Sequence, residues 1–90
     1  MTDWHQVKIK VIKQSGHCEA GHKVGDEFIL ANNSPAGLCV WALYTLFPFA
    51  TALQAGGNFP WEKEVGVSTV VCPDPENPVV FEIRKITSDA

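Results

Sequence analysis

The sequence predicts a small α+β domain with a mostly antiparallel sheet, its elements in the order β-β-α-β-β around one kinked, largely apolar central helix. Three observations support this fold class. Apolar and polar residues alternate near both ends of the chain, a long uncharged stretch lies between them, and glycines and prolines separate the segments. The chain has 90 residues, 46% of them hydrophobic and 19% charged, so a single globular domain over residues 1–90 is expected.

Four short segments are predicted to be strands, at residues 7–12, 27–31, 68–72 and 79–84. The first and last show the alternation that is typical of a half-buried strand, and the third is rich in Val and Thr. Residues 14–25 contain three glycines and are expected to form a compact loop or tight knuckle. The three prolines within residues 73–78 predict an ordered turn in which Asp74 accepts local backbone hydrogen bonds.

The stretch from Phe28 to Trp61 carries no charged side chain and is predicted to hold the helix. Ser34 is a suitable N-cap and Pro35 fits the first helical position. Pro48 is expected to kink or interrupt the helix near residues 45–47, because proline lacks an N–H and clashes with the preceding turn. A second short helix over residues 49–55 is then expected to end at the Gly-Gly pair that follows.

This helix has apolar side chains at almost every position, which a small monomer can hardly bury on all sides. Part of it is therefore expected to face another subunit of a homo-oligomer. A membrane span over residues 36–55 is not expected, because polar residues interrupt the segment and its flanks lack a Lys/Arg cluster.

Charge and the N-terminal sequence exclude further classes of protein. The formal net charge of -3 argues against a nucleic-acid-binding protein, which needs a basic surface. Residues 1–13 lack the apolar core and small-residue cleavage site of an export signal. A cytoplasmic location, where thiols stay reduced, is therefore the expectation.

The residues that suggest chemistry are three widely spaced cysteines, Cys18, Cys39 and Cys72. They are predicted in the first loop, near the start of the helix and at the end of a strand, and these three ends can meet in a small α+β domain. Three thiolates would form most of a tetrahedral metal site, with His22 or His17 as a fourth ligand. The expected cofactor is zinc, iron or an iron–sulfur cluster, and the fourth position could instead stay open for a substrate.

Two alternatives stay open from the same residues. The thiols could be small core residues of a metal-free binding or assembly protein that associates through the apolar helix. The chain could also be a thiol-dependent enzyme, with Cys39 or Cys18 as nucleophile, His22 as base and Asp26 completing the set. A small-molecule ligand is a further possibility, with Trp41, Trp61 and Phe59 as pocket residues, although such aromatic residues are more often core residues.

Four short motifs are distributed along the chain: Cys-x-x-Gly-His-x-x-Gly-Asp from Cys18, Pro-x-Gly-x-Cys up to Cys39, Gly56-Gly57 with Pro60-Trp61-Glu62, and Cys-Pro-Asp-Pro from Cys72. Together they resemble a family of small uncharacterised prokaryotic proteins of about this size that is frequent in anaerobes. The resemblance covers nearly the whole chain. It implies that the three cysteines belong to one shared site, and an anaerobic setting suits thiolate-bound iron. It implies no particular activity.

Overall fold

A computed structural model describes residues 4–86 of the chain. Its elements are β1 (Gln6–Gln14), β2 (Glu27–Leu30), α1 (Val40–Gln54), β3 (Val67–Val71) and β4 (Val79–Ile86). The four strands form one antiparallel sheet in the order β2-β1-β4-β3, and α1 lies against it. The predicted α+β class and antiparallel sheet are thus confirmed, and each predicted strand lies within two residues of an observed one at both ends.

The two faces of the sheet differ in chemistry because side chains alternate along each strand. One face packs against the inner side of α1 and forms the core, whose fully buried members include Val7, Ile9, Phe81 and Ile83. The other face is open and carries charges, with Lys10 directly opposite acidic residues on both neighbouring strands. The alternation seen in the sequence therefore separates a covered face from a solvated one.

The helix begins later than the sequence predicts. Its first helical residue is Val40 and its N-cap is Cys39, so the predicted start at Ser34 and Pro35 is wrong. The physical reason is Gly37, whose φ of 85° is incompatible with a right-handed helix. Residues 35–38 instead form a turn, and Cys39 lies at the helix terminus and not in its second turn.

The predicted interruption at Pro48 is also wrong, because α1 continues through this residue as a single helix of 15 residues. Proline removes the hydrogen bond that would otherwise reach the carbonyl of Tyr44. Both Pro48 and Tyr44 lie on the exposed side of α1, so water can solvate that carbonyl. The position of the proline relative to solvent explains why the helix tolerates it.

The end of α1 agrees with the prediction. Gly56 has a φ of 91° and donates its N–H to the carbonyl of Leu53, while Gly57 donates to the carbonyl of Ala52. This pair of bonds is a Schellman motif, which satisfies carbonyls that the last helical turn leaves free.

Within this chain the helix is buried on one side only. Ala42, Leu46, Ala50 and Leu53 face the sheet. The apolar residues of the outer side are exposed; they are Val40, Trp41, Tyr44 and Phe47. No helix among residues 4–86 is long and apolar enough to cross a membrane.

Candidate functional site: a cleft lined by three thiols

All three cysteines line one cleft of about 550 Å³ at the N-terminal end of α1. Cys18 comes from the loop between β1 and β2, Cys39 from the N-cap of α1, and Cys72 from the residue after β3. Each is half-buried and carries a free thiol. We call this the thiol cleft; its lining residues are Cys18, Glu19, Ala20, Cys39, Trp41, Cys72, Pro73, Asp74, Pro75 and Asn77.

The loop that carries Cys18 is held against the turn that follows Cys72. Asn77 accepts the backbone N–H of His17 through Oδ1 at 2.8 Å, and the N–H of Ser15 reaches the carbonyl of Pro78 at 3.0 Å. Gly16 lies so close to Asn77 that a Cβ at this position would overlap its side chain. Two cysteines that are far apart in sequence are thereby brought to one side of the cleft.

Cys39 is positioned by a buried histidine. Its backbone N–H donates to Nε2 of His22 at 3.0 Å, which satisfies one of the free donors at a helix start. His22 is only 5% exposed, and its ring packs edge-on against Phe28 and Phe81 at centroid distances of 5.3 and 6.0 Å. Because Nε2 accepts a hydrogen bond, the proton of the neutral ring is on Nδ1.

This geometry bears on both roles that the sequence suggests for His22. The ring does not line the thiol cleft, and its Nε2 is directed at the backbone of Cys39 and not at the sulfur. Within the described residues, no hydrogen bond joins the Cys39 thiol to a base. Asp26 accepts the backbone N–H of Lys23 at 2.9 Å, so its carboxylate stabilises a local turn. The other candidate ligand, His17, is exposed and lies 3.7 Å from the carboxylate of Glu19.

Cys72 lies where the edge strand β3 meets the proline-rich turn. Its backbone N–H donates to the carbonyl of Val79, and the N–H of Val79 donates to its Sγ at 3.3 Å. An N–H group directed at sulfur stabilises negative charge there. The thiol lies 4.0 Å from the carbonyl of Asn77, at the limit of a weak S–H hydrogen bond.

The turn itself is ordered by Asp74, as the sequence predicts. Its Oδ1 accepts the backbone N–H groups of Glu76 and Asn77, and its Oδ2 accepts Nδ2 of Asn77. The side-chain amide of Asn77, followed by the N–H of Glu76, holds the pKa of the Asp74 carboxyl below its ordinary value. Asp74 is therefore an ionised group whose oxygens are used within the turn.

The described residues that line the thiol cleft include acidic and apolar side chains but no basic one. The charged residues among them are Glu19 and Asp74, without a Lys or Arg. Among residues 4–86, no group of three or more His, Cys, Asp or Glu side chains stands close enough to hold a metal ion. The three sulfurs share a cleft without forming a coordination sphere, so joint binding of one ion requires the side chains to turn toward each other.

Only one of the three aromatic residues considered for a ligand pocket lies in this cleft, and it is Trp41. Phe59 and Trp61 stack on each other, with ring centroids 4.9 Å apart, and Phe59 also packs on Phe49. The part played by Asn77, which joins the two thiol-bearing loops, was not predicted from the sequence. The one signal that could have suggested it is an Asx residue three positions after Asp74 in a proline-rich turn.

Comparisons with models of known protein families, with curated proteins and with solved structures found no match for this chain. The resemblance to a small prokaryotic family stays a prediction, and the chemistry of the thiol cleft must be inferred from its own residues.

Proposed function

We propose that this protein binds a soft metal ion or an iron–sulfur cluster in the thiol cleft, with thiolates of Cys18, Cys39 and Cys72 as ligands. The observation that carries the proposal is that three thiols from three separate parts of the chain line one cleft. Thiolates are the ligands that zinc, monovalent copper and iron–sulfur clusters prefer. A reducing compartment such as the cytoplasm would keep the three thiols available.

The groups that surround two of the sulfurs are suited to metal ligation. The N–H of Val79 is directed at Cys72 Sγ, and such bonds commonly accompany metal-bound thiolates. Cys39 is the N-cap of α1, where the helix dipole favours negative charge, and its side chain makes no capping bond that binding would have to break. Binding then requires side-chain rotation at the cleft and no refolding of the elements.

In this proposal His22 acts as a positioning residue. Coordination through Nε2 would break its hydrogen bond to Cys39, so the histidine holds the helix start while the three sulfurs bind. The fourth position around the ion is then open to solvent or to a substrate, as in zinc sites with three protein ligands. This arrangement leaves room for catalysis, although the proposal concerns binding alone.

The test is metal analysis of the full chain purified without oxygen, together with its absorption spectrum. We expect about one ion or one cluster per chain. Cobalt(II) added to the metal-free protein should produce the intense near-ultraviolet absorption of cobalt–thiolate bonds. Each of the variants Cys18→Ser, Cys39→Ser and Cys72→Ser should lose this band.

The matched control is His17→Gln, which changes an exposed imidazole beside Cys18 that does not line the cleft. It should bind cobalt like the unchanged protein. A folded protein that contains no metal and gives no thiolate band with cobalt, zinc or cadmium would show that the proposal is wrong.

A second proposed property, self-association through the outer side of α1, has its own observation. Tyr44 is 78% exposed, and Val40 and Trp41 are also largely exposed beside it, in a stretch of chain without charges. Burying such side chains against a second copy would remove apolar surface from water. Trp41 also lines the thiol cleft, so the interface would adjoin the cleft.

Sedimentation of Tyr44→Lys against the unchanged protein tests this association. The variant should be monomeric at concentrations where the unchanged chain is a dimer or larger oligomer. Ile29→Lys is the control, because it adds the same charge to an exposed apolar position on the open face of the sheet. A monomeric unchanged protein over the whole concentration range would contradict the association.

A further inference from the structure

We propose that the thiol cleft captures trivalent arsenic or its heavier analogue antimony, as a neutral complex of three thiolates with one such atom. This inference rests on the proposed function, since it names the class of ion that the same three sulfurs would take. It follows from two properties of the cleft: no fourth donor is held in position there, and no positive side chain among the described residues lines it.

The lack of a fourth donor follows from the hydrogen bonds around the cleft. Both oxygens of Asp74 accept bonds within its own turn, and Oδ1 of Asn77 accepts the N–H of His17. His22 uses Nε2 for the backbone of Cys39 and does not line the cleft. The Glu19 side chain is 93% exposed and lies beside His17. Among the described residues, the cleft therefore offers three sulfurs and no fourth ligand that is held in position, since the Glu19 carboxylate is free in solvent.

An ion that is satisfied by three sulfurs fits this donor set best. Structural zinc sites are almost always four-coordinate, so zinc would need a solvent ligand here. Trivalent arsenic binds three thiolates in a pyramid, and its lone pair takes the place of a fourth ligand. The preference thus follows from the number of donors.

The charge of the cleft also favours trivalent arsenic over zinc or copper. Three thiolates with Zn²⁺ carry one net negative charge, and with Cu⁺ they carry two. The lining holds Glu19 and Asp74 but no Lys or Arg, and the start of α1 supplies only about half a positive charge. A complex of three thiolates with trivalent arsenic is neutral, so it adds no negative charge to a cleft that already carries two carboxylates.

The reaction balances without an oxidant or a reductant. Arsenous acid, As(OH)₃, is uncharged at neutral pH and can enter an acidic cleft without repulsion. Each of its three hydroxide groups leaves with the proton of one thiol as water, and three As–S bonds replace three As–O bonds. Arsenic stays trivalent throughout, and the apolar side chains of Trp41, Pro73 and Pro75 suit the neutral product.

The test is to add arsenite to the reduced, metal-free full chain without oxygen, followed by native mass spectrometry and thiol titration. We expect a mass increase of one arsenic atom less three hydrogens, and the loss of all three titratable thiols. Arsenite should also displace zinc at equal concentration. Each single Cys→Ser variant should bind arsenite more weakly by more than about tenfold, while His17→Gln should match the unchanged protein.

The unchanged protein decides the outcome even if a variant folds poorly. Arsenic that retains a hydroxide and leaves one thiol free, or zinc that displaces arsenite, would overturn the inference. If zinc, cobalt or an iron–sulfur cluster binds but arsenite does not, the inference fails and the proposed metal site survives. If none of these binds, both are wrong.

Discussion

Buried polar side chains link both ends of α1 to residues 22–31, but the surfaces beside the two ends differ in chemistry. At the N-terminal end, Nε2 of His22 accepts the N–H of Cys39. At the C-terminal end, Nε2 of Gln54 donates to the carbonyls of Leu30 and Ala31 at 3.3 and 2.9 Å. The first bond satisfies a backbone donor at the helix start, and the second pair places a helical side chain against the end of β2. Both ends of α1 are therefore anchored.

The difference between the ends is in what surrounds them. The C-terminal end adjoins a pocket of about 640 Å³ lined by uncharged side chains, several of them amides; they are Trp4, Gln6, Leu30, Ala31, Asn32, Asn33, Ser34, Leu43, Phe47 and Gln54. The N-terminal end adjoins the thiol cleft. Similar anchoring thus serves stability at one end, while at the other it also sets the position of a thiol. Variants at the two ends should separate these effects.

The largest effect is expected at the C-terminal end, in Gln54→Ala. Gln54 is 2% exposed, and its truncation leaves the carbonyls of Leu30 and Ala31 without this side-chain donor and opens space beside them. We expect the free energy of unfolding to fall by about 3 kcal/mol in urea denaturation. Cobalt or arsenite affinity of the folded protein should stay the same.

Thr45→Ala serves as the control for Gln54→Ala, because among residues 4–86 the Thr45 hydroxyl bonds only to the carbonyl of Trp41 within the helix. It should change stability little. A Gln54→Ala protein that loses ion binding while still folded would show that the two ends are coupled more tightly than their separate contacts imply.

A smaller loss of stability is expected from His22→Phe, together with a loss of ion affinity. Phenylalanine keeps the aromatic packing on Phe28 and Phe81 but leaves the Cys39 N–H without an acceptor. We expect destabilisation of about 1.5 kcal/mol and weaker cobalt or arsenite binding by about tenfold or more. Calorimetric unfolding and an ion titration on the same samples measure both.

His22→Gln separates positioning from packing, because its side-chain oxygen can accept the same N–H. It should restore part of the ion affinity while losing aromatic contacts. If His22→Phe binds ions as well as the unchanged protein does, the histidine supports the core alone and has no part in placing the thiol.

The sequence predicts the strands and the end of α1 well because these depend on local signals. Alternation of side chains defines β1 and β4, and the Gly-Gly pair ends the helix. The start of α1 was mispredicted because Ser34 and Pro35 give a strong local signal that the conformation of Gly37 overrides. The effect of Pro48 depended on which side of the helix it faces, which follows from packing on the sheet.

The candidate site could be predicted only in part, because it depends on both local signals and long-range contacts. Three thiols at three element ends suggested a meeting point, but whether the ends meet depends on contacts between distant segments, such as Asn77 with the loop before Cys18. The role of His22 was hidden because its partner is the backbone of Cys39, which no side-chain pattern reveals.

On β3, which packs against α1, one buried side-chain oxygen has no hydrogen-bond partner among the described residues, and its removal should stabilise the protein. Ser68 is fully buried on β3, and its Oγ makes no hydrogen bond with any described residue. Ser68→Ala should raise the free energy of unfolding by about 1 kcal/mol, because no unsatisfied hydroxyl is then buried. A loss of stability in thermal unfolding would contradict this and would indicate a partner for the hydroxyl.

The smallest effect is expected on the open face of the sheet, which is the face opposite α1. Arg84 donates to both carboxylate oxygens of Glu64, at 2.6 and 3.3 Å, and these bonds, more than the charge of Arg84, hold the pKa of Glu64 below its ordinary value. The stability that this pair contributes is therefore present above the ordinary carboxyl range and is lost as the pH falls through the lowered pKa.

Because the pair is largely exposed, Glu64→Gln should change stability only slightly at neutral pH and less in high salt. Urea denaturation at several pH values should show that the variant lacks part of the acid-induced loss of stability, while its cobalt titration matches that of the unchanged chain. If Glu64→Gln destabilised the protein as much as His22→Phe, the open face would contribute to the stability of the helix ends. The difference between the two ends of α1 would then depend on residues outside the helix.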